Sequence, residues 1–171
     1  FTQAAFELAR GAGTSLNEVI YTELLDDSAF FPTDGSLANY DAGATDSVLS
    51  LAGLENADAI FAAQTKEDGT PLGAVPAILL VPRGLRVTAE TLMSAAGLVG
   101  QGQNAAPVPN SNPWAGKFRV SSSVYLSSSA ISGSSATAWY LLADPMDIPV
   151  VEVVFVDGVD TPTIEYGEPN F

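Results

Sequence analysis

Residues 51–82 read LAGLENADAIFAAQTKEDGTPLGAVPAILLVP, and the fold class follows from taking this stretch apart in order. Leu51, Leu54, Ala57, Ile60 and Phe61 recur at spacings of three and four, with Glu55, Asn56 and Asp58 between them, which predicts an amphipathic helix from Leu51 to Gln64. Asp68-Gly69 should stop it, and Lys66 to Gly73 carries the residues of a turn. Ala77-Ile78-Leu79-Leu80-Val81 then shows no polar alternation, as expected of a strand buried on both faces, and Pro82 closes it. Beyond the proline, Leu85, Ala89, Leu92, Met93 and Ala96 resume helical spacing. Helix, buried strand and helix make an α/β unit in the middle of the chain.

Upstream, Phe6, Ala9, Leu16, Val19, Ile20 and Leu24 fall on one side of a helix over residues 1–27. Gly11 and Gly13 leave two readings. One continuous helix could tolerate both at about 1 kcal/mol each, or a second helix could begin at the capping box Ser15 to Glu18. Asp26 and Asp27 oppose the helix dipole, so the helix should end near them. Ser28 to Thr45, with Pro32-Thr33-Asp34-Gly35, reads as a connecting excursion. Gly97 to Pro113 is poor in charge, rich in Gly, Gln, Asn and Pro, and lacks apolar periodicity; it should be an exposed, mobile loop. The last third is β-rich. Residues 117–126 alternate, a Ser-Gly turn covers 127–135, and strands are expected at Thr137 to Ala143, Val150 to Val156 and Thr161 to Tyr166, the last two as a hairpin around Asp157-Gly158.

The composition narrows the function. At 171 residues and 47% hydrophobic, the chain can bury a core of one domain or slightly more. No run approaches the roughly 20 apolar residues of a membrane span. The chain opens on Phe1 with no basic, apolar leader, so a fragment or processed product without a signal peptide is expected. Cysteine and histidine are both absent, which removes disulfides, thiol nucleophiles, the usual base of a serine nucleophile and the commonest transition-metal ligand. Twenty acidic residues against six basic ones give a net charge of −14, the wrong sign for gripping phosphates and a ready source of solubility.

What chemistry remains is weak. Ser121-Ser122-Ser123 and Ser127-Ser128-Ser129 could be activated only by Lys66 or Lys117, and they read as strand and turn serines. Asp26-Asp27, Glu67-Asp68 and the spread Asp157, Asp160, Glu165 and Glu168 read as solvated charge, and none follows the Asp-x-Asp-x-Asp-Gly grammar of a calcium loop. No catalytic, cofactor-binding or metal-ligating residue is assigned. Trp139 lies in an apolar strand and reads as core. Trp114, after Asn112-Pro113 at the end of a polar loop, either closes that loop onto its own domain or anchors a partner subunit.

The helix, turn and Pro82-terminated strand of residues 51–82, together with Trp139-Tyr140-Leu141-Leu142-Ala143-Asp144-Pro145, resemble the major capsid proteins of tailed phages and prophages. The wording is that of the branch close to the Mu-like head subunit and the prohead protease–capsid fusions. The resemblance implies an α+β chain of the Hong Kong 97-type capsid fold, comprising the axial domain and part of the peripheral domain. Residues 1–43 would be the spine helix and connecting segment, 44–138 a mixed α/β axial domain, and 139–171 the returning, incomplete peripheral strands. Counterparts of the N-terminal arm and extended loop are not found in the sequence, so this stretch by itself is expected not to close shells.

The same resemblance implies a structural protein of a phage or prophage head, without enzymatic activity or cofactor. It would be a major capsid subunit that self-associates into hexamers and pentamers of an icosahedral shell. Its partners would be copies of itself and other head proteins, namely portal, prohead protease and scaffold, with no specific nucleic-acid binding and no membrane. It would reside in the virion after assembly in the bacterial host cytoplasm, its acidity suiting a surface close to packaged DNA. Gln101, Gln103, Asn104, Asn110, Asn112 and Trp114 become candidate subunit-interface residues. Two other classes stay open on the residues alone, an extracellular or surface-layer β-rich module and a carboxylate-based carbohydrate-active enzyme. A long first helix joined to a central α/β unit would speak against the first, and two carboxylates converging in a cleft would favour the second.

Overall fold

Strand β1 (Pro76–Pro82) organises the protein, and its lack of alternation has a geometric cause. Leu79 and Val81 point into one apolar cluster and Leu80 into another, on the opposite face of the sheet, so every position from Ile78 onward is covered. In the computed structural model, which describes residues 2–27, 29–33, 35, 37–41, 43, 47–94 and 112–158, β1 is the middle of a three-stranded sheet. Strand β2 (Arg119–Ser123) runs parallel to it, with Leu79 opposite Val120 and Val81 opposite Ser122. Strand β3 (Tyr140–Ala143) runs antiparallel on the other side, with Leu79 opposite Leu141 and a register shift between Pro76 and Ile78. The prolines stand at the two ends of β1, where a missing N–H disturbs the ladder least.

The first layer over the sheet comes from helices on either side of β1 in sequence. Helix α2 (Leu51–Ala62) starts at Ser50, whose hydroxyl accepts the Gly53 N–H at 3.1 Å, and sends Leu54 into the core. After β1 a single 3-10 turn (Arg83–Leu85) leads into helix α3 (Arg86–Ser94), which packs Ala89 and Met93 against Leu79, Val81, Trp114 and Phe118. Trp139 borders this cluster, and its indole N–H donates to the Ser47 carbonyl at 2.7 Å. Together β1, α3 and β2 form a β-α-β unit with parallel strands, in keeping with the α/β pattern of residues 51–96.

The other face is covered differently. Helix α1 (Thr2–Asp26) is continuous through Gly11 and Gly13, which settles that choice, and it ends at Asp26 where the acidic pair opposes the dipole. Its last two turns alone reach the body: Leu25 joins Leu80, Leu126 and Ile131, while Tyr21 stacks on Tyr125 with ring centroids 5.3 Å apart and planes 14° from parallel. Tyr125–Ser127 is a one-turn 3-10 helix following β2, so the expected alternating strand over 117–126 is shorter than its pattern.

Further expectations meet the structure towards the C-terminal end. The loop expected over Gly97 to Pro113 lies outside the described residues as far as 111. Val151–Phe155 has no strand structure among the described residues despite its run of valines; sequence preference alone cannot make a strand without a partner to satisfy its backbone. Asp157 (φ 56°) and Gly158 (φ 69°) both adopt the left-handed backbone expected of turn residues, whereas Thr161 to Tyr166 lies outside the described residues. Strand β3, which begins just after residue 138, is hydrogen-bonded to β1.

Candidate functional site

Helix α1 is 25 residues long, about 37 Å at 1.5 Å per residue, and it outreaches the body that anchors it. From Gln3 to Val19 every side chain the structure describes is exposed. The stripe Phe6, Ala9, Gly13 and Leu16, flanked by Leu8 and Val19, thus faces solvent, Phe6 at 81% exposure and Val19 at 58%. The polar side chains beside the stripe are bonded within the helix: Gln3 donates to Glu7 at 3.5 Å, Thr14 Oγ1 to the Arg10 carbonyl at 2.8 Å and Asn17 Nδ2 to the Gly13 carbonyl at 3.0 Å. Among the described residues no core lies under this apolar stripe.

A second apolar surface lies at the other end of the chain. Val151, Val153, Val154 and Phe155 are all exposed, and Met146, at the tip of the Asp144–Asp147 turn, is 95% exposed.

The structure reaches two of the six candidate interface residues; Gln101, Gln103, Asn104 and Asn110 lie outside the described residues. Asn112 and Trp114 are brought together and turned inward. The Asn112 carboxamide donates to the Leu92 carbonyl at 2.6 Å and accepts the Trp114 N–H at 2.9 Å, and the Gly116 N–H donates to the Met93 carbonyl at 2.8 Å. The Trp114 ring packs against Phe118 at 5.7 Å, with the Lys117 ammonium 4.2 Å from its centroid and that ammonium paired to Asp58 of α2 at 3.2 Å. In this subunit Trp114 therefore closes the chain onto its own domain, one of the two readings its position allows.

The remaining polar candidates have local tasks. Ser123 Oγ accepts the Tyr125 N–H, Ser134 Oγ donates to the Ser128 carbonyl, and Ser127 Oγ donates to the Val124 carbonyl, all as turn-forming contacts. Asp27 caps the turn after α1 by accepting the Ala29 N–H. Asp68 accepts both the Thr70 hydroxyl and the Thr70 N–H, and these bonds hold its carboxyl below the ordinary aspartate value. Burial pushes the Tyr140 phenol up, with a smaller contribution from Tyr40. Among the described residues no group of three or more acidic side chains is placed to hold a metal ion, and no helix is long and apolar enough to cross a membrane.

Sequence reasoning missed the role of α1's stripe. Its periodicity was legible, but Phe6, Leu16 and Val19 carry the same spacing whether a helix faces its own core or a neighbour's. Only the mismatch between a long helix and a small body separates the two.

The described residues define an α+β fold with a small mixed sheet and apolar side chains left exposed on its first helix. The chain belongs to the phage capsid protein family, whose family model matches residues 1–170. No curated protein and no solved structure matches the chain significantly. It is a structural protein of the phage head, resident in the virion, in a family whose members associate with themselves into capsid shells. The long helix joined to an α/β unit also speaks against the β-rich surface module.

Proposed function

We propose that this chain is a major capsid subunit of the Hong Kong 97-type fold, assembling into hexamers and pentamers of an icosahedral head. Residues 1–43 act as the spine element. Residues 44–138 form the axial body, and 139–171 return towards the peripheral region after completing the sheet with β3. Assembly takes place in the bacterial host cytoplasm alongside portal, prohead protease and scaffold proteins. The subunit works by geometry, without catalysis, cofactor or specific nucleic-acid contact, and Gln101, Gln103, Asn104 and Asn110 lie at a contact between subunits.

The observation that carries this reading is the apolar stripe of α1, which the described residues leave exposed. An acidic chain of this charge repels its copies at long range, so association depends on neutral, apolar surface such as this one. Replacing Phe6 and Leu16 together by Asp tests it in the full-length subunit. Neither side chain supports the core, so the variant should fold, and particles should disappear from negative-stain micrographs while light scattering reports free subunits. Shells of normal size and yield from the doubly substituted protein would refute the proposal.

A further inference from the structure

We infer that residues 151–155 of one subunit add as a strand to the free edge of β2 in a second copy of this chain, with Glu152 set against Arg119. This rests on the proposed assembly from copies of the chain, and it names the two surfaces that meet.

Both surfaces are incomplete in the single chain. Strand β2 is bonded to β1 on one side, and no backbone hydrogen bond joins its other edge to a described residue. The unpaired N–H and C=O groups of a sheet edge are a template for an incoming strand. Residues 151–154, three valines around Glu152, suit a strand, are exposed, and make no hydrogen bond among the described residues. A strand has two edges, so pairing with its own chain on one side would leave the other for a neighbour.

Charge selects the pairing. Residues 115–143 contain Lys117 and Arg119 and no acid, although the whole chain stands at −14, whereas residues 144–158 contain Asp144, Asp147, Glu152 and Asp157 and no cation. Lys117 is engaged by Asp58, but Arg119 and Glu152 are both exposed and have no hydrogen bond or ion pair among the described residues. An edge carrying Arg119 repels its own likeness and admits a strand with an acid in its middle. The outer edge of β3 offers no such partner, since Tyr140–Ala143 is uncharged and Asp144 follows it. Side chains alternate along a strand, so whichever way the segment runs, Glu152 opposite Arg119 puts Val151 and Val153 on the face of Val120 and Phe118. There they lengthen the main apolar cluster. The contact joins two different surfaces, and repeated by a closing rotation it builds a ring, as a hexamer or pentamer requires.

The chain has no cysteine, so a disulfide between introduced cysteines reports the contact directly. In the full-length protein, tagged Arg119→Cys subunits and untagged Glu152→Cys subunits are mixed, assembled and oxidised. Opposite residues on paired strands hold their Cα atoms about 4.5–5.5 Å apart, within disulfide reach, so the mixed dimer should dominate non-reducing gels. Arg119→Glu and Glu152→Arg should each raise the protein concentration needed for assembly about tenfold, and both changes in one chain should restore it to within about twofold. Circular dichroism should not change, because neither side chain has a bond to lose. Absence of the mixed dimer from assembled shells, an intrachain disulfide in a chain carrying both cysteines, a cross-link to a different head protein only, or normal assembly by both reversals would overturn the inference. If Phe6→Asp with Leu16→Asp still abolishes shells in that case, self-assembly stands and only this contact falls. Free subunits throughout, from the parent as from the variants, would refute both.

Discussion

Substituting Gly133 by alanine should release α1 from the body while the sheet stays folded. Gly133 has φ +72°, and a β-carbon there would stand 2.1 Å from the Leu25 carbonyl oxygen and 2.9 Å from its carbonyl carbon. The left-handed backbone costs an alanine roughly 1–2 kcal/mol. An ordinary carbon–oxygen contact is about 3.3 Å, so turn and helix must also separate by about 1.2 Å, and overpacking of that kind costs about 1–3 kcal/mol. The turn cannot easily yield, since Ser134 Oγ is bonded to the Ser128 carbonyl at 2.7 Å and the Ser135 N–H to the Leu126 carbonyl at 2.8 Å. The helix can. Its hold consists mainly of buried Leu25, worth about 2 kcal/mol, and the Tyr21–Tyr125 stack, worth about 1 kcal/mol. Undocking therefore caps the cost of the clash at about 3 kcal/mol, and with the backbone strain the total loss of stability at about 4–5 kcal/mol. In nuclear magnetic resonance spectra the Leu25 methyls should lose their contacts to Leu126 and Ile131, while amide protection at Leu79 to Val81 persists. Retention of those contacts, with unfolding free energy within about 0.5 kcal/mol of the parent, would refute the reasoning.

Gly11→Ala and Gly13→Ala should act in the opposite direction, because no atom lies within 4 Å of where either new β-carbon would stand and alanine favours a helix interior over glycine by about 1 kcal/mol. Circular dichroism should report higher helix content with little change in the global melt, and a fall in helicity would show that close contacts or a break exist there. Tyr140 supplies a pH dependence. Its folded-state pKa lies above the ordinary 10.0 because burial disfavours the phenolate, so its contribution to stability is complete below that value and is lost as pH rises through the folded pKa. The parent should thus lose stability above about pH 10 faster than Tyr140→Phe, followed by denaturant unfolding across alkaline pH; identical alkaline profiles would contradict the burial argument.

The legible parts of the fold are those governed by local pattern and burial together. The Leu51 and Leu54 helix, the unbroken apolar strand to Pro82 and the helix containing Ala89 and Met93 stand where their spacing puts them, because each buries a face in the same cluster. Val150 to Val156 shows the limit of this logic. Its residues are fit for a strand, but pairing depends on a partner, and the partner expected across the Asp157-Gly158 turn, Thr161 to Tyr166, lies outside the described residues. The candidate site divides in the same way. Asn112 and Trp114 were visible as unusual residues at the end of a polar loop, but a carboxamide shared between Leu92 and Trp114 requires two chain segments to meet, and no spacing rule encodes that meeting.

By itself the sequence determined the class of element at the centre of the chain, the exclusion of histidine- and cysteine-based chemistry, the acidic surface and the resemblance to capsid subunits, a resemblance the family match bears out. These follow from composition and short-range periodicity, which are properties of a chain before it folds. Tertiary structure alone decided that β1 is flanked by one parallel and one antiparallel strand, that α1 runs unbroken past two glycines, and that the described residues leave its apolar stripe exposed. An apolar face records only that something must cover it. Which surface does so is a matter of where the rest of the chain goes, and among the described residues the body meets α1 only along its last two turns.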